Sequence, residues 1–178
     1  GRALLRSGAK VDDDIWLSGA LGGAHGALAF LPEAQPDNLP KLSGSEMPEA
    51  FFQAYYYPMP CLRLGQQLIG VANSAVDISD GLLADLTHIL VASSCGASLD
   101  LQAIPLCSSL VDYFESSVAL DCALNGGDDY QLCFTAGVQH RQYLDSLGCV
   151  CIGKINCDKG IFDIVSGEKL LPDGFSHF

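Results

Sequence analysis

Ser74-Ala-Val-Asp-Ile-Ser-Asp-Gly-Leu-Leu-Ala-Asp-Leu-Thr-His-Ile-Leu90 is the most legible stretch of this 178-residue chain. Residues Ser74 to Ile78 read as a short strand. Ser79 or Asp80 then reads as the N-cap of a helix whose apolar positions Leu82, Leu83, Leu86, Ile89 and Leu90 recur at helical spacing. Gly96 follows the last turn, where a helix commonly ends on glycine. A strand end leading into a helix start gathers backbone N–H groups and the positive end of the helix dipole, a setting that suits phosphate. Ser79 adds a hydroxyl there. Asp77 and Asp80 add the hard oxygen donors that Mg2+ takes when it is shared with phosphates. Gly81 permits close approach to the backbone. The same residues also fit a plain helix cap beside a solvated strand end.

Upstream, Asp12-Asp-Asp14 reads as a solvated turn before a strand over Ile15–Ser18. The link Gly19 to Gly26 has the form G-x-x-G-G-x-x-G, which is neither a dinucleotide fingerprint nor a Walker A loop, so it reads as close backbone packing before a helix through Leu31. A Pro-rich loop covers residues 32–44. Ser45 then reads as the N-cap of a helix containing Phe51, Phe52 and Tyr55, stopped by Pro58 and Pro60, and a further helix spans Leu62 to Ala72. Downstream come a strand over Ala97–Leu101 and two short helices through Leu124. Asn125-Gly-Gly-Asp-Asp129 is a tight loop entering a strand over Tyr130–Thr135. Adjacent carboxylates at Asp128 and Asp129 repel unless they are solvated or share a cation or an amine. They suit a ligand loop or a turn into a strand. A helix over Val138–Leu147 and strands over Val150–Ile155 and Ile161–Val165 complete the pattern. Helices and strands alternate only loosely, which predicts an α+β layered domain with a mixed sheet rather than a doubly wound parallel one.

Composition narrows the partners. Nine basic residues against 21 acidic ones give a net charge of -12, and no basic cluster exists, which argues against nucleic acid and anionic membrane surfaces. The apolar runs fall short of a membrane span. Sixteen Asp against five Glu point to many turns and to a divalent-cation site. Eight cysteines without a CxxC pair read as reduced, small hydrophobes of a cytoplasmic protein, with Cys149 and Cys151 on one side of a strand. His25, His88, His140 and His177 have no mutual spacing that builds a metal site. The start at Gly1 rather than Met predicts that the chain is a piece of a longer protein.

Arg6-Ser-Gly-Ala-Lys10, Leu17-Ser-Gly-x-x-Gly22, the stretch Asp77 to Leu86 with His88-Ile89, Gly126-Gly-Asp-Asp-Tyr-Gln-Leu132, Ile152-Gly153 and Gly174-Phe-Ser-His-Phe178 occur in order. Together they resemble the C-terminal half of the bacterial thiamine-monophosphate kinase family. The Asp-x-Ser-Asp-Gly element alone recurs in aminoimidazole ribonucleotide synthetase, selenophosphate synthetase and a hydrogenase maturation factor. The resemblance implies a single domain over residues 1–178, folded like the C-terminal domain of aminoimidazole ribonucleotide synthetase. It implies Mg2+-dependent transfer of the ATP γ-phosphoryl group onto thiamine monophosphate, in a cytoplasmic homodimer. Carried over by position, Asp77 and Asp80 are expected to ligate metal, Ser79 and Arg6 to contact ATP, and Asp128 and Phe175 to contact thiamine monophosphate. No residue is expected to act as a covalent catalyst. An N-terminal domain carrying most of the ATP and Mg2+ site is expected to be the chain's partner, and the chain alone is expected to be inactive. Asp128 stands where the family usually has Glu, Phe175 where it has Tyr or Trp, Gly22-Gly23 where it has Gly-Asp, and Tyr57-Pro-Met-Pro-Cys61 where it has Arg-Pro-x-Pro-Arg. The rival readings are another ATP-dependent enzyme of the same superfamily and a stand-alone binding module.

Overall fold

The computed structural model describes residues 3–34 and 36–172. Phe175 therefore lies outside the described residues.

Among the described residues seven strands form one mixed sheet: β1 Asp14–Leu17, β2 Ala72–Asp77, β3 Gly96–Leu99, β4 Leu132–Ala136, β5 Val150–Asn156, β6 Ile161–Asp163 and β7 Lys169–Leu170. Their order is β2-β4-β1-β5-β3-β6-β7, with every neighbouring pair antiparallel except β3 and β6. Among the described residues seven α-helices accompany it: α1 Gly23–Ala27, α2 Glu49–Tyr56, α3 Leu62–Gln67, α4 Leu82–Ser93, α5 Ser108–Tyr113, α6 Ser116–Asn125 and α7 Arg141–Ser146. The α+β expectation with a mixed sheet is borne out.

Period-two alternation sends side chains of each central strand into two different layers. In β1, Ile15 and Leu17 join a core with Leu82, Leu86 and Ile89 of α4 and Ala123 of α6, while Trp16 points the other way onto Leu68 and Leu144. In β4, Cys133 joins the first layer and Phe134 the second. Helices thus cover both faces of the sheet. A third cluster, built on Phe30, Phe51, Leu110 and Phe114, ties α1, α2, α5 and α6 into a helical layer beside the sheet. Phe51 and Phe114 stack there with centroids 5.9 Å apart. All eight cysteines are free, and Cys149 and Cys151 lie on the same side of β5, as their spacing predicts. Burial pushes the Cys122 and Cys133 thiols up to about 12, so both behave as apolar core groups.

Several local expectations are corrected. The triplet Asp12-Asp-Asp14 is not a solvated turn: Asp13 and Asp14 are buried. Asp13 accepts hydrogen bonds from Lys10 N–H at 2.9 Å and Asn73 Nδ2 at 2.8 Å. Asp14 receives a bidentate pair from Arg141, at 2.6 and 2.7 Å. The two partners lie 60 and 127 residues away in sequence, so no local pattern announces them. The helix predicted over Leu62–Ala72 ends at Gln67, because Ala72 already belongs to β2. Pro48, not Ser45, precedes the first turn of α2. Gly96 is not a helix terminator. Ser94 takes the left-handed position at the end of α4, while Gly96 opens β3 where any Cβ would overlap the Asp158 carbonyl.

Candidate functional site

The loop between β2 and α4 is built from inside. The N-cap position of α4 is Gly81, with φ of 117°, and neither Ser79 nor Asp80 makes a side-chain cap. The expected cap is replaced by Asp85, one turn into the helix and buried. Its carboxylate Oδ2 accepts the backbone N–H groups of Ser79 at 2.8 Å and Asp80 at 2.9 Å. Burial raises the Asp85 pKa, opposed by those two hydrogen bonds. The two loop amides that the sequence offered to phosphate are therefore already engaged. What the loop shows to solvent is acidic: Asp77 and Asp80 are exposed, and Ser79 is half-buried.

A second loop, between α6 and β4, is zipped onto the first by main-chain hydrogen bonds. Asp128 N–H donates to Ser79 O at 3.0 Å, Tyr130 N–H to Ile78 O at 2.9 Å, and Ile78 N–H to Gln131 O at 2.8 Å. This contact requires glycines. A Cβ on Gly127 would overlap the Ser79 carbonyl, and one on Gly81, already at positive φ, would sit 2.8 Å from Asn125 O. The zipper brings together the two constellations read separately from sequence. Asp128 and Tyr130 both adopt left-handed backbone, φ 64° and 51°. The Tyr130 hydroxyl donates to Asp128 Oδ1 at 3.0 Å. Asp128, Asp77 and Asp80 all raise the Tyr130 pKa, which places that hydroxyl in the field of three carboxylates.

The neighbouring carboxylates Asp128 and Asp129 part company. Asp128 is exposed, whereas Asp129 is buried and caps the short helix α1, accepting Gly22 N–H at 2.6 Å and, more loosely, Ala24 N–H at 3.4 Å. Burial pushes Asp129 up to about 6 from 3.8, against the hydrogen bonds that favour its anion. The sign follows: the folded chain holds this proton more tightly than the unfolded one. The associated stability is complete below pH 3.8 and is lost as pH rises through 6. The stability of the parent relative to Asp129→Asn is expected to fall by about 2–3 kcal/mol between pH 3.5 and 7, measured by denaturant melts at each pH. A flat difference would show that the backbone donors outweigh burial.

Cation donors are available on this surface. One ligand atom each from Asp80, Asp85 and His88 lies within 4.8 Å of the others. Asp85 was not singled out from sequence, and His88 only as one of four histidines without mutual metal-site spacing, although the three-residue separation of the two on a helix places them on one face. Mg2+ takes oxygen and keeps several waters, so His88 is a poor donor for it and the exposed carboxylates of Asp77 and Asp80 suit it better. The donor chemistry fits a cation shared with phosphates. Arg6 is exposed, and its carbonyl lies 3.5 Å from Ser93 Oγ, in the last turn of α4, roughly 15–18 Å along the helix from Asp80.

No family model matches the chain. Among curated proteins, thiamine-monophosphate kinase from Escherichia coli K12 is 40% identical over 187 residues, covering all of this chain and 56% of that protein. A crystal structure of thiamine-monophosphate kinase from Stenotrophomonas maltophilia K279a superposes with a TM-score of 0.83 at 37% identity, covering 96% of this chain and 55% of that one. A structure of AaThiL complexed with AMPPCP and TMP gives 0.82 at 28% identity, covering 98% and 54%. The chain thus spans about half the length of the curated relatives it matches.

Proposed function

We propose that this chain, which falls over its whole length within the thiamine-monophosphate kinase family by sequence and by fold, supplies part of a site that phosphorylates thiamine monophosphate to thiamine diphosphate with Mg2+ and ATP. The observation that carries this reading is the pair of zipped loops, whose Ser79, Asp80, Asp128 and Tyr130 amides are engaged internally while Asp77, Asp80 and Asp128 face outward. Such a surface repels phosphates directly and meets them only through cations. The reaction joins two anions, so it needs positioning and charge neutralisation rather than a covalent nucleophile. Bound Mg2+ supplies that neutralisation. In this reading Asp77 and Asp80 hold the metal, Ser79 and Arg6 contact ATP, and Asp128 and Phe175 contact thiamine monophosphate.

The remaining part of the enzyme, an N-terminal domain, completes the ATP and Mg2+ site in this reading, and the whole protein is a cytoplasmic homodimer. Among the described residues no helix is long and apolar enough to cross a membrane. The chain by itself is expected to give no turnover above background in a thiamine diphosphate assay.

Titration of the isotope-labelled chain with thiamine diphosphate and Mg2+ tests the site. Amide shifts are expected at residues 77–81 and 126–130, and Asp80→Asn is expected to weaken the Mg2+-dependent part by about tenfold or more, the loss of one charged ligand. Saturating ligand that moves neither segment would sink the assignment of these residues.

A further inference from the structure

Toward the C-terminal end of α4, away from the acidic loops, a cavity of about 390 Å³ opens between that helix and the β6–β7 hairpin. Its floor is buried and apolar: Leu90 from α4, Cys95 from the turn after it and Ile161 from β6. Val91 and Leu171, 74% and 65% exposed, line it as apolar walls left in water. Two cations, Lys159 and Lys169, join them, and among the described residues no carboxylate does. In this chain that balance stands out. Its 21 acidic residues outnumber nine basic ones, and they supply Asp77 and Asp129 to the two cavities beside the acidic loops. Neither lysine makes an ion pair among the described residues, where the pairs are Arg141 with Asp14 and Lys154 with Asp12. Backbone makes room for one of them. Gly160 sits at φ 122°, and a Cβ there would lie 3.0 Å from Lys169 Cε, so the lysine stem crosses the glycine. The negative end of α4 is muted where it meets the cavity. Ser94 and Cys95 N–H groups donate to the Val91 and Leu90 carbonyls at 3.3 and 3.1 Å.

An apolar trough edged by two unpaired ammonium groups matches one ligand class: an anion with a hydrocarbon body, which fills the trough while its charge stays near water. We propose that this cavity binds small monocarboxylates with a medium-length apolar body, the carboxylate against Lys159 and Lys169 and the body against Leu90, Val91 and Leu171. The site lies apart from the one proposed for thiamine monophosphate and does not depend on it. A bound molecule bridges α4 to the β6–β7 hairpin.

Octanoate, octanol and octylammonium share one tail and differ in the head group, so together they separate charge from apolar burial. Titrated into the isotope-labelled full chain, octanoate is expected to give saturable amide shifts at Cys95, Gly160, Ile161 and Leu170. Octanol and octylammonium are each expected to bind about fivefold or more weakly. Lys159→Gln combined with Lys169→Gln, both at exposed positions, is expected to weaken octanoate by about the same factor and to leave octanol unchanged. Val91→Asp, also exposed, sets a carboxylate on the wall and is expected to abolish the octanoate shifts. Octanol or octylammonium binding as tightly as octanoate overturns the inference. So does unchanged octanoate affinity in the double lysine variant or in Val91→Asp, and so does saturating octanoate that moves none of the four amides.

Discussion

Asp85→Ala is expected to lower stability by about 2–4 kcal/mol, because it strips the acceptor from two loop amides at once and leaves Ser79 and Asp80 N–H groups unpaired beneath the site. For a chain of this length that corresponds to a fall of roughly 5–15 °C in Tm. The damage should be concentrated in the loop. Amide exchange at Ser79 and Asp80 should accelerate well beyond that of Leu86 or Ile89, which stay inside α4. Asp85→Asn retains one acceptor oxygen and should recover part of the loss. Calorimetry and exchange together check the claim. A loss below about 0.5 kcal/mol, typical of surface substitutions, would mean that Asp85 is dispensable to the loop.

Gly127→Ala is the second large effect, and it acts on the zipper rather than on either loop. The added Cβ would overlap the Ser79 carbonyl, a backbone atom that already accepts Asp128 N–H and has no rotamer with which to move aside. Overpacking of this kind costs about 1–3 kcal/mol. The functional cost should be larger than the stability cost, since the loops must part by several tenths of an ångström and Asp128 moves away from Asp80. The Mg2+-dependent shifts with thiamine diphosphate should disappear while the fold persists. Gly65→Ala is the control: its Cβ would meet only Leu132 Cδ1 at 3.8 Å, inside helix α3. It should stabilise by about 0.5–1 kcal/mol, through helix propensity alone. Retained ligand shifts in Gly127→Ala would show that the loops are not coupled through this contact.

Both predictions concern contacts that periodicity leaves invisible. Asp85 was legible only as a polar residue in an amphipathic helix, and its role depends on how the preceding six residues curl back over it. Asp129 and Gln131 read as turn and strand residues. What each does is fixed by Gly22 and Ser18, more than 100 residues away in the chain. The correction at Asp13 and Asp14 has the same origin: a run of three acids looks solvated until Asn73 and Arg141 arrive from other strands and helices.

Features that depend on local chemistry and on period were readable from the residues alone. The strand–loop–helix at residues 72–93 follows from a hydrophobic switch from period two to period three and four. The glycines at 81, 126 and 127 read as backbone open to a ligand, a space that at Gly81 and Gly127 is filled by neighbouring backbone instead, and of the cysteines read as core groups Cys95, Cys122, Cys133 and Cys149 are buried while Cys157 is exposed. The family resemblance, too, was carried by short ordered motifs. Which carboxylates face solvent and which are engaged by buried donors is set by the fold, because that choice turns on partners that the chain meets after the sheet has closed. Ionised carboxylates are too costly to bury without donors. The fold gave donors to Asp13, Asp14, Asp85 and Asp129, and left Asp77, Asp80 and Asp128 in water, where a cation can reach them.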